Sequence, residues 1–410
     1  MSQDPVNRWL ILAGAVISNM CIGSAYAWSV YQKPLIALFR WSTPEVSLAF
    51  TLCLSLMPVA MIVAGKLQDH YGAKRVVITG SLLFSSGIMG AGFTDSLTTL
   101  YMTYGVLGGI GTGMIAAIFM ANAVKFFPDK RGLASGCVAA GFATGAIIVA
   151  PVASALIQSA GVLATFKVFG MAYLVILMGC SLLIRTAPPD YRPDGWTPAT
   201  AAVANVTRPD KDWRGMLTDP LFYVLWGMFL VNSISGLMII GHASPISQEM
   251  IHMDAQQAAF AVGLLALGNA AGRIVWGLVS DKIGRYNAIM IIFSCFGSLM
   301  IAMSHITQQL TFMAVLVMIG LCYGGVMGIF PSITADMFGP KNLGMNYGII
   351  NTAFGIAAFI GPRLAGHYKE INQGDYSQAF LVAASLSIVG IILTIIARRR
   401  CITGTVLPMQ

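Results

Sequence analysis

Charge is what this sequence has least of. Asp, Glu, Lys and Arg make up only 10% of its 410 residues, against 57% hydrophobic ones, and a soluble domain of this length cannot cover its exterior on so thin a supply. The chain needs lipid as its solvent. Its seven cysteines include no CxxC pair and mostly fall within apolar runs, so they read as small hydrophobes and imply neither a metal site nor a disulfide framework. No HExxH motif or Ser/His/Asp set appears, which argues against a membrane-embedded enzyme and leaves no cofactor to expect. The net charge of +8 does not signal nucleic acid, because the basic residues form no stripe with interleaved aromatics.

What the chain has instead is apolar length. A bilayer core of about 30 Å asks for roughly 20 apolar residues per helix, and twelve such stretches occur, at 9–31, 46–65, 76–93, 99–124, 133–158, 165–184, 219–241, 257–278, 287–303, 311–335, 343–362 and 377–397. Spanning backbone must satisfy its own hydrogen bonds, so these read as helices. The first is too long for a signal peptide and is kept as a span. Most of the 44 glycines lie inside these runs, where small residues let helices approach closely.

Orientation follows from Lys and Arg. Eighteen of the 24 flank the spans on the side of the N-terminus, five (Lys33, Arg40, Lys167, Arg363 and Lys369) lie on the other, and Arg273 belongs to neither. Basic residues concentrate in cytoplasmic loops, which puts both termini in the cytoplasm of an inner or plasma membrane. The one long polar segment, 186–218, is a linker between an N-terminal half, 1–185, and a C-terminal half, 219–400, with a tail at 401–410. The halves repeat. GKLQDHYGAKR from Gly65 matches GLVSDKIGRYN from Gly277, pairing Gly65 with Gly277, Asp69 with Asp281 and Gly72 with Gly284 at an offset of 212 residues. FFPDKRGLASG from Phe126 likewise answers MFGPKNLGMNYG from Met337. Parallel six-helix repeats are a transporter architecture.

Both copies of the Gly-x-x-x-Asp-x-x-Gly run resemble the signature of the major facilitator superfamily. More narrowly, YAWSVYQKPL (Tyr26 to Leu35), FFPDKRGLASG, NAAGRIVWGLVSDKIGR (Asn269 to Arg285) and NYGIINTAFGIAAFIG (Asn346 to Gly361) resemble its oxalate/formate antiporter branch and the related monocarboxylate transporters. The implied fold is an all-α membrane protein of twelve transmembrane helices in two six-helix repeats. The resemblance also implies that the signature loops, with Asp69, Arg75, Asp281 and Arg285, gate the cytoplasmic face.

No acidic residue falls in the middle of a span, and Arg273 lies within span eight, about a turn and a half before its cytoplasmic end. An ionised side chain at that depth is a functional-site candidate by default. Its planar fork can grip a carboxylate with two parallel hydrogen bonds and cannot lose its proton. Asn269, four residues earlier, shares its helix face. At the 212-residue offset Arg273 corresponds to Met61, so the charge is confined to one half, whereas Phe142 and Phe354 are repeat mates that would form two apolar walls. Tyr26, Trp28 and Tyr323 offer rings with a polar handle, Asn351 and Asn232 are further polar candidates, and His242 could exchange protons near neutral pH.

Oxalate-carrying members of the branch place a second cation, a lysine, where Phe354 stands. One cation fits a monoanion, so the expected cargo is a small monocarboxylate such as lactate, pyruvate, acetate or formate, moved with a proton or by anion exchange. An oxalate-type antiporter and a carboxylate-sensing receptor on a transporter frame are the alternatives. Partners are then a small carboxylate, a proton in one of the two modes and the bilayer, with a monomer as the working unit.

Overall fold

The computed structural model describes residues 7–188, 191–193 and 210–403; most of the expected linker, Arg208 and the end of the tail lie outside them. Among the described residues the chain is helical throughout, with no strand. Eleven helical stretches are long and apolar enough to cross a membrane. The remaining expected span, 76–93, is the 19-residue helix α4 (Ala73–Ala91), where Lys74, Arg75 and interspersed Gly and Ser dilute the apolar character.

Before it come α1 (Arg8–Gly23), α2 (Trp28–Phe39) and α3 (Thr43–Tyr71), and after it α5 (Leu97–Leu100), α6 (Gly108–Phe126), α7 (Arg131–Ala160), α8 (Val162–Leu183) and the short α9 (Trp213–Leu217). The later spans are α10 (Pro220–Glu249), α11 (Ala255–Ile283), α12 (Arg285–Met303), α13 (Gln309–Phe338), α14 (Leu343–Ile371) and α15 (Ser377–Thr403). The chain divides into two compact units, one of residues 1–197 with 340–349, the other of 198–339 with 350–410.

Helix starts follow local chemistry. Ser42 with Glu45 and Asp254 with Gln257 form reciprocal capping boxes at α3 and α11, and Asp219 caps α10 ahead of Pro220, so backbone donors that the helix leaves unused find acceptors. The ends of α3 and α11 explain the last glycine of each signature run. Gly72 has φ 81° and Gly284 φ 89°, a left-handed region that costs a residue with a Cβ but not glycine.

Two expected spans are not continuous α-helix. The first breaks into α1 and α2 at a 3₁₀ turn over Ser24–Ala27, and the fourth carries a π-helical stretch, Tyr101–Leu107, between α5 and α6. Neither site contains proline. In the first unit a Cβ at Gly23 would collide with the Phe142 carbonyl, and one at Gly145 with the Met20 carbonyl, so α1 and α7 meet backbone to backbone at the break. In the same unit Gly109 and Gly113 press on the backbone of α3 at Cys53 and Met57, and Gly105 approaches it beside Leu52, which is how small residues bring membrane helices together.

Candidate functional site

In the second unit Arg273 sits on α11, about three turns before the helix ends at Gly284, and is 7% exposed. Its Nε–H donates to Oδ1 of Asn269 at 3.2 Å. Arginine has no acceptor, so the Asn269 oxygen must face it and the amide nitrogen must point elsewhere, which fixes the amide and the plane of the guanidinium together. The two side chains thus meet on one helix face.

Glycine sets the backbone beneath this pair. On α13, a Cβ at Gly320, Gly324 or Gly328 would overlap the carbonyls of Leu265, Asn269 and Arg273 in turn, and on α11 one at Gly268 or Gly272 would overlap those of Val317 and Leu321. The seam between α11 and α13 is thus main chain against main chain, and it holds the Cα atoms of Arg273 and Asn269 in register with α13. Tyr323, next to Gly324 and 3% exposed, turns its ring towards α10, where a Cβ at Gly236 would occupy the space of that ring. Asn351 and Phe354, both buried on α14, are three residues apart and share a helix face.

Near the far end of α10, His242 bridges two elements: Nε2 lies 2.9 Å from the Pro362 carbonyl and Nδ1 3.2 Å from the Tyr376 hydroxyl. A carbonyl only accepts, so Nε2 carries the hydrogen and, in the neutral ring, Nδ1 accepts from Tyr376. Burial pushes the Tyr376 phenol above its ordinary range, with the nearby Lys369 ammonium opposing it, which keeps the hydroxyl a donor. Lys369 is itself paired with Glu249 at 2.6 Å.

In the first unit Tyr26 lies in the 3₁₀ turn and meets Phe142 edge to face, with ring centroids 5.2 Å apart. Trp28 takes a different neighbourhood. It is buried against Tyr104, at 4.3 Å, and Phe50, with Tyr31 and Phe166 completing a cluster inside that unit. Tyr104 belongs to the π-helical stretch, a type of helix irregularity often found at functional sites.

Of the expected gate residues, Arg285 donates through Nη1 to Asp281 at 2.6 Å and through Nε to Asp336 of α13 at 3.0 Å. Asp336 is a partner that sequence reading missed, although it directly precedes the repeated loop MFGPKN. In the other copy Arg75 is exposed, and the Asp69 side chain lies outside the described residues. Gly65, which opens that copy, packs against the backbone of Gly344 and Met345 within the first unit. Also unforeseen is the two-pronged pairing of Arg8 with Asp129, at 2.5 and 3.1 Å, beneath which Phe127 lies 4.7 Å from the guanidinium.

The model of the Major Facilitator Superfamily matches residues 9–362 and 240–402 of this sequence. The chain belongs to that superfamily. It is 31% identical over 353 residues to an uncharacterized MFS-type transporter, YhjX, of Escherichia coli, covering 86% of each chain. It is 30% identical over 393 residues to the oxalate:formate antiporter of Oxalobacter formigenes, covering 94% of this chain and 90% of that one. Human monocarboxylate transporter 12 is 24% identical over 431 residues, covering 95% and 80%. Among solved structures, a bacterial homologue of the iron transporter ferroportin in its outward-facing state shares the fold at a TM-score of 0.71 with 14% identity, over 95% of this chain and all of that one. This superfamily member is accordingly an integral membrane transporter, and its relatives include proteins named for carrying small carboxylates.

Proposed function

We propose that the chain is a secondary transporter of small monocarboxylates, working by alternating access with both termini in the cytoplasm of an inner or plasma membrane, and that Arg273 holds the carboxylate. The observation that carries this reading is the buried Arg273 on α11, its guanidinium oriented by Asn269 and its backbone held against the glycines of α13. A planar cation kept at one depth and one orientation suits two-point recognition of a carboxylate. Phe354, Tyr323 and Asn351, of the same unit as Arg273, are proposed as the apolar and polar lining beside it, and Asp69, Arg75, Asp281 and Arg285 as the cytoplasmic gate.

Bound carboxylate adds negative charge beside Arg273 and so eases closure over the substrate, since taking positive charge away from water is unfavourable. On this reading exchange outpaces net transport. His242, which bridges the Pro362 carbonyl and the Tyr376 hydroxyl, is the proposed carrier of a coupled proton. Net uptake under an imposed pH gradient, set beside counterflow, separates the modes: strong gradient-driven uptake that His242→Gln removes supports coupling, and its absence supports exchange.

The test of the reading itself is counterflow in liposomes with formate, acetate, lactate, pyruvate and oxalate. Monocarboxylates should exchange, and Arg273→Lys should lower that exchange on the order of 100-fold, the scale of breaking a buried charge pair. A lysine variant that exchanges like the parent removes Arg273 from the site. The identity with the oxalate:formate antiporter favours a second reading, oxalate exchange, which Phe354 opposes by leaving one cation for two carboxylates. Oxalate outcompeting the monocarboxylates would establish it.

A further inference from the structure

The face of α10 that looks at α13 is marked by two contacts. Phe229 meets Phe330 with ring centroids 4.7 Å apart, and two turns further along Gly236 makes room for the Tyr323 ring. Asn232 lies between them, three residues from one and four from the other, and so on the same face. It is 4% exposed, and its Nδ2 has no hydrogen-bond acceptor among the described residues. An amide donor left unmatched in a membrane interior is costly, because no solvent replaces the missing acceptor.

The level at which this donor sits is given by α13. Its residues Tyr323 and Phe330 look to α10, while Gly324 and Gly328, the neighbours of Tyr323 and Met327, look to Asn269 and Arg273 on α11. Asn232 on one flank and the Arg273–Asn269 pair on the other therefore face the same two turns of one helix. The Arg273 side chain folds back along α11 towards Asn269, that is, towards the level of Tyr323 and Gly236.

We propose that Asn232 is a specificity-determining residue that donates through Nδ2 to an oxygen on the carbon next to the substrate carboxylate. This rests on the reading that Arg273 holds that carboxylate. A keto or hydroxyl oxygen at the 2-position is an acceptor one bond away from the group that Arg273 grips, and a buried donor discriminates strongly against an analogue that lacks its acceptor. The favoured substrates are then 2-oxo and 2-hydroxy monocarboxylates, ahead of unsubstituted acids with the same number of carbons.

The experiment compares lactate and pyruvate with propionate in counterflow by the full chain in liposomes. The parent protein should prefer lactate and pyruvate over propionate by about tenfold or more in kcat/KM, the scale of one unmatched buried hydrogen bond. Asn232→Leu should collapse that ratio towards one. Asn232→Asp, which keeps the shape and replaces the donor with an acceptor, should collapse it too and serves if the leucine variant does not fold. A ratio that survives both substitutions, or a parent that takes propionate as well as lactate, overturns the inference and leaves the monocarboxylate reading standing. Exchange of none of the three acids by the parent also overturns the inference, and it sinks the monocarboxylate reading as well if formate and acetate are refused too.

Discussion

Asn269 reaches Arg273 through its oxygen, and that single contact decides what a carboxylate would do in its place. Asn269→Asp should therefore pair with Arg273 and compete with an anionic substrate while the new carboxyl is ionised. Exchange by the variant should be weak at neutral pH and recover as acidification protonates the aspartate, and parallel pH profiles of parent and variant would contradict this. Gly236 is the second residue with a sharp expectation. Gly236→Ala puts a methyl where the Tyr323 ring lies, so the ring must move, and KM should rise several-fold, on the order of what a one-carbon change in a pocket costs. Substrate titration of counterflow rates measures it. At this scale the sequence was legible where chemistry is rare: Arg273 stood out as the basic residue that the topology count assigned to neither side of the membrane, and Asn269 followed from helical spacing. Asp336 and the room at Gly236 were illegible, because each depends on which helices pack together, and no spacing along the chain encodes that.

Helices were legible as lengths and less so as shapes. Apolar runs gave the spans, and signature glycines marked the ends of α3 and α11, because Gly72 and Gly284 adopt backbone angles that other residues avoid. The break between α1 and α2 left no such mark. It lies in an apolar stretch without proline and coincides with the close contact of Gly23 and Gly145 with the neighbouring backbone, a tertiary cause that hydropathy does not register. The glycine seam between α11 and α13 gives a stability prediction for this scale. In Gly324→Ala the better helix propensity is worth up to ~1 kcal/mol, whereas overpacking against the Asn269 carbonyl costs about 1–3 kcal/mol. The variant should melt at a lower temperature than the parent in detergent. An equal or higher melting temperature would mean that the two helices can part without loss.

For the molecule as a whole, the scarcity of charge settled the solvent, and the two copies of one loop settled the family. The distribution of basic residues makes a topology prediction. In a cysteine-free background, a single cysteine at Arg214 should resist a membrane-impermeant maleimide added to intact cells, while one at the exposed Asp375 should react. The reverse pattern would turn the protein over. The substrate's name was not legible, because recognition rests on few polar atoms and a single cation reports charge before shape.

The seam of α11 and α13 and its counterpart between α3 and α6 depend on glycines whose missing side chains let the neighbouring backbone come close. A saturation scan of this chain should therefore draw a second map beside that of the substrate site. Intolerance should run in four-residue steps along Gly109 and Gly113 and along Gly320, Gly324 and Gly328, where an alanine Cβ would overlap the facing backbone. Variants there would fail for every substrate alike, whereas variants of the recognition residues would change which substrate is taken.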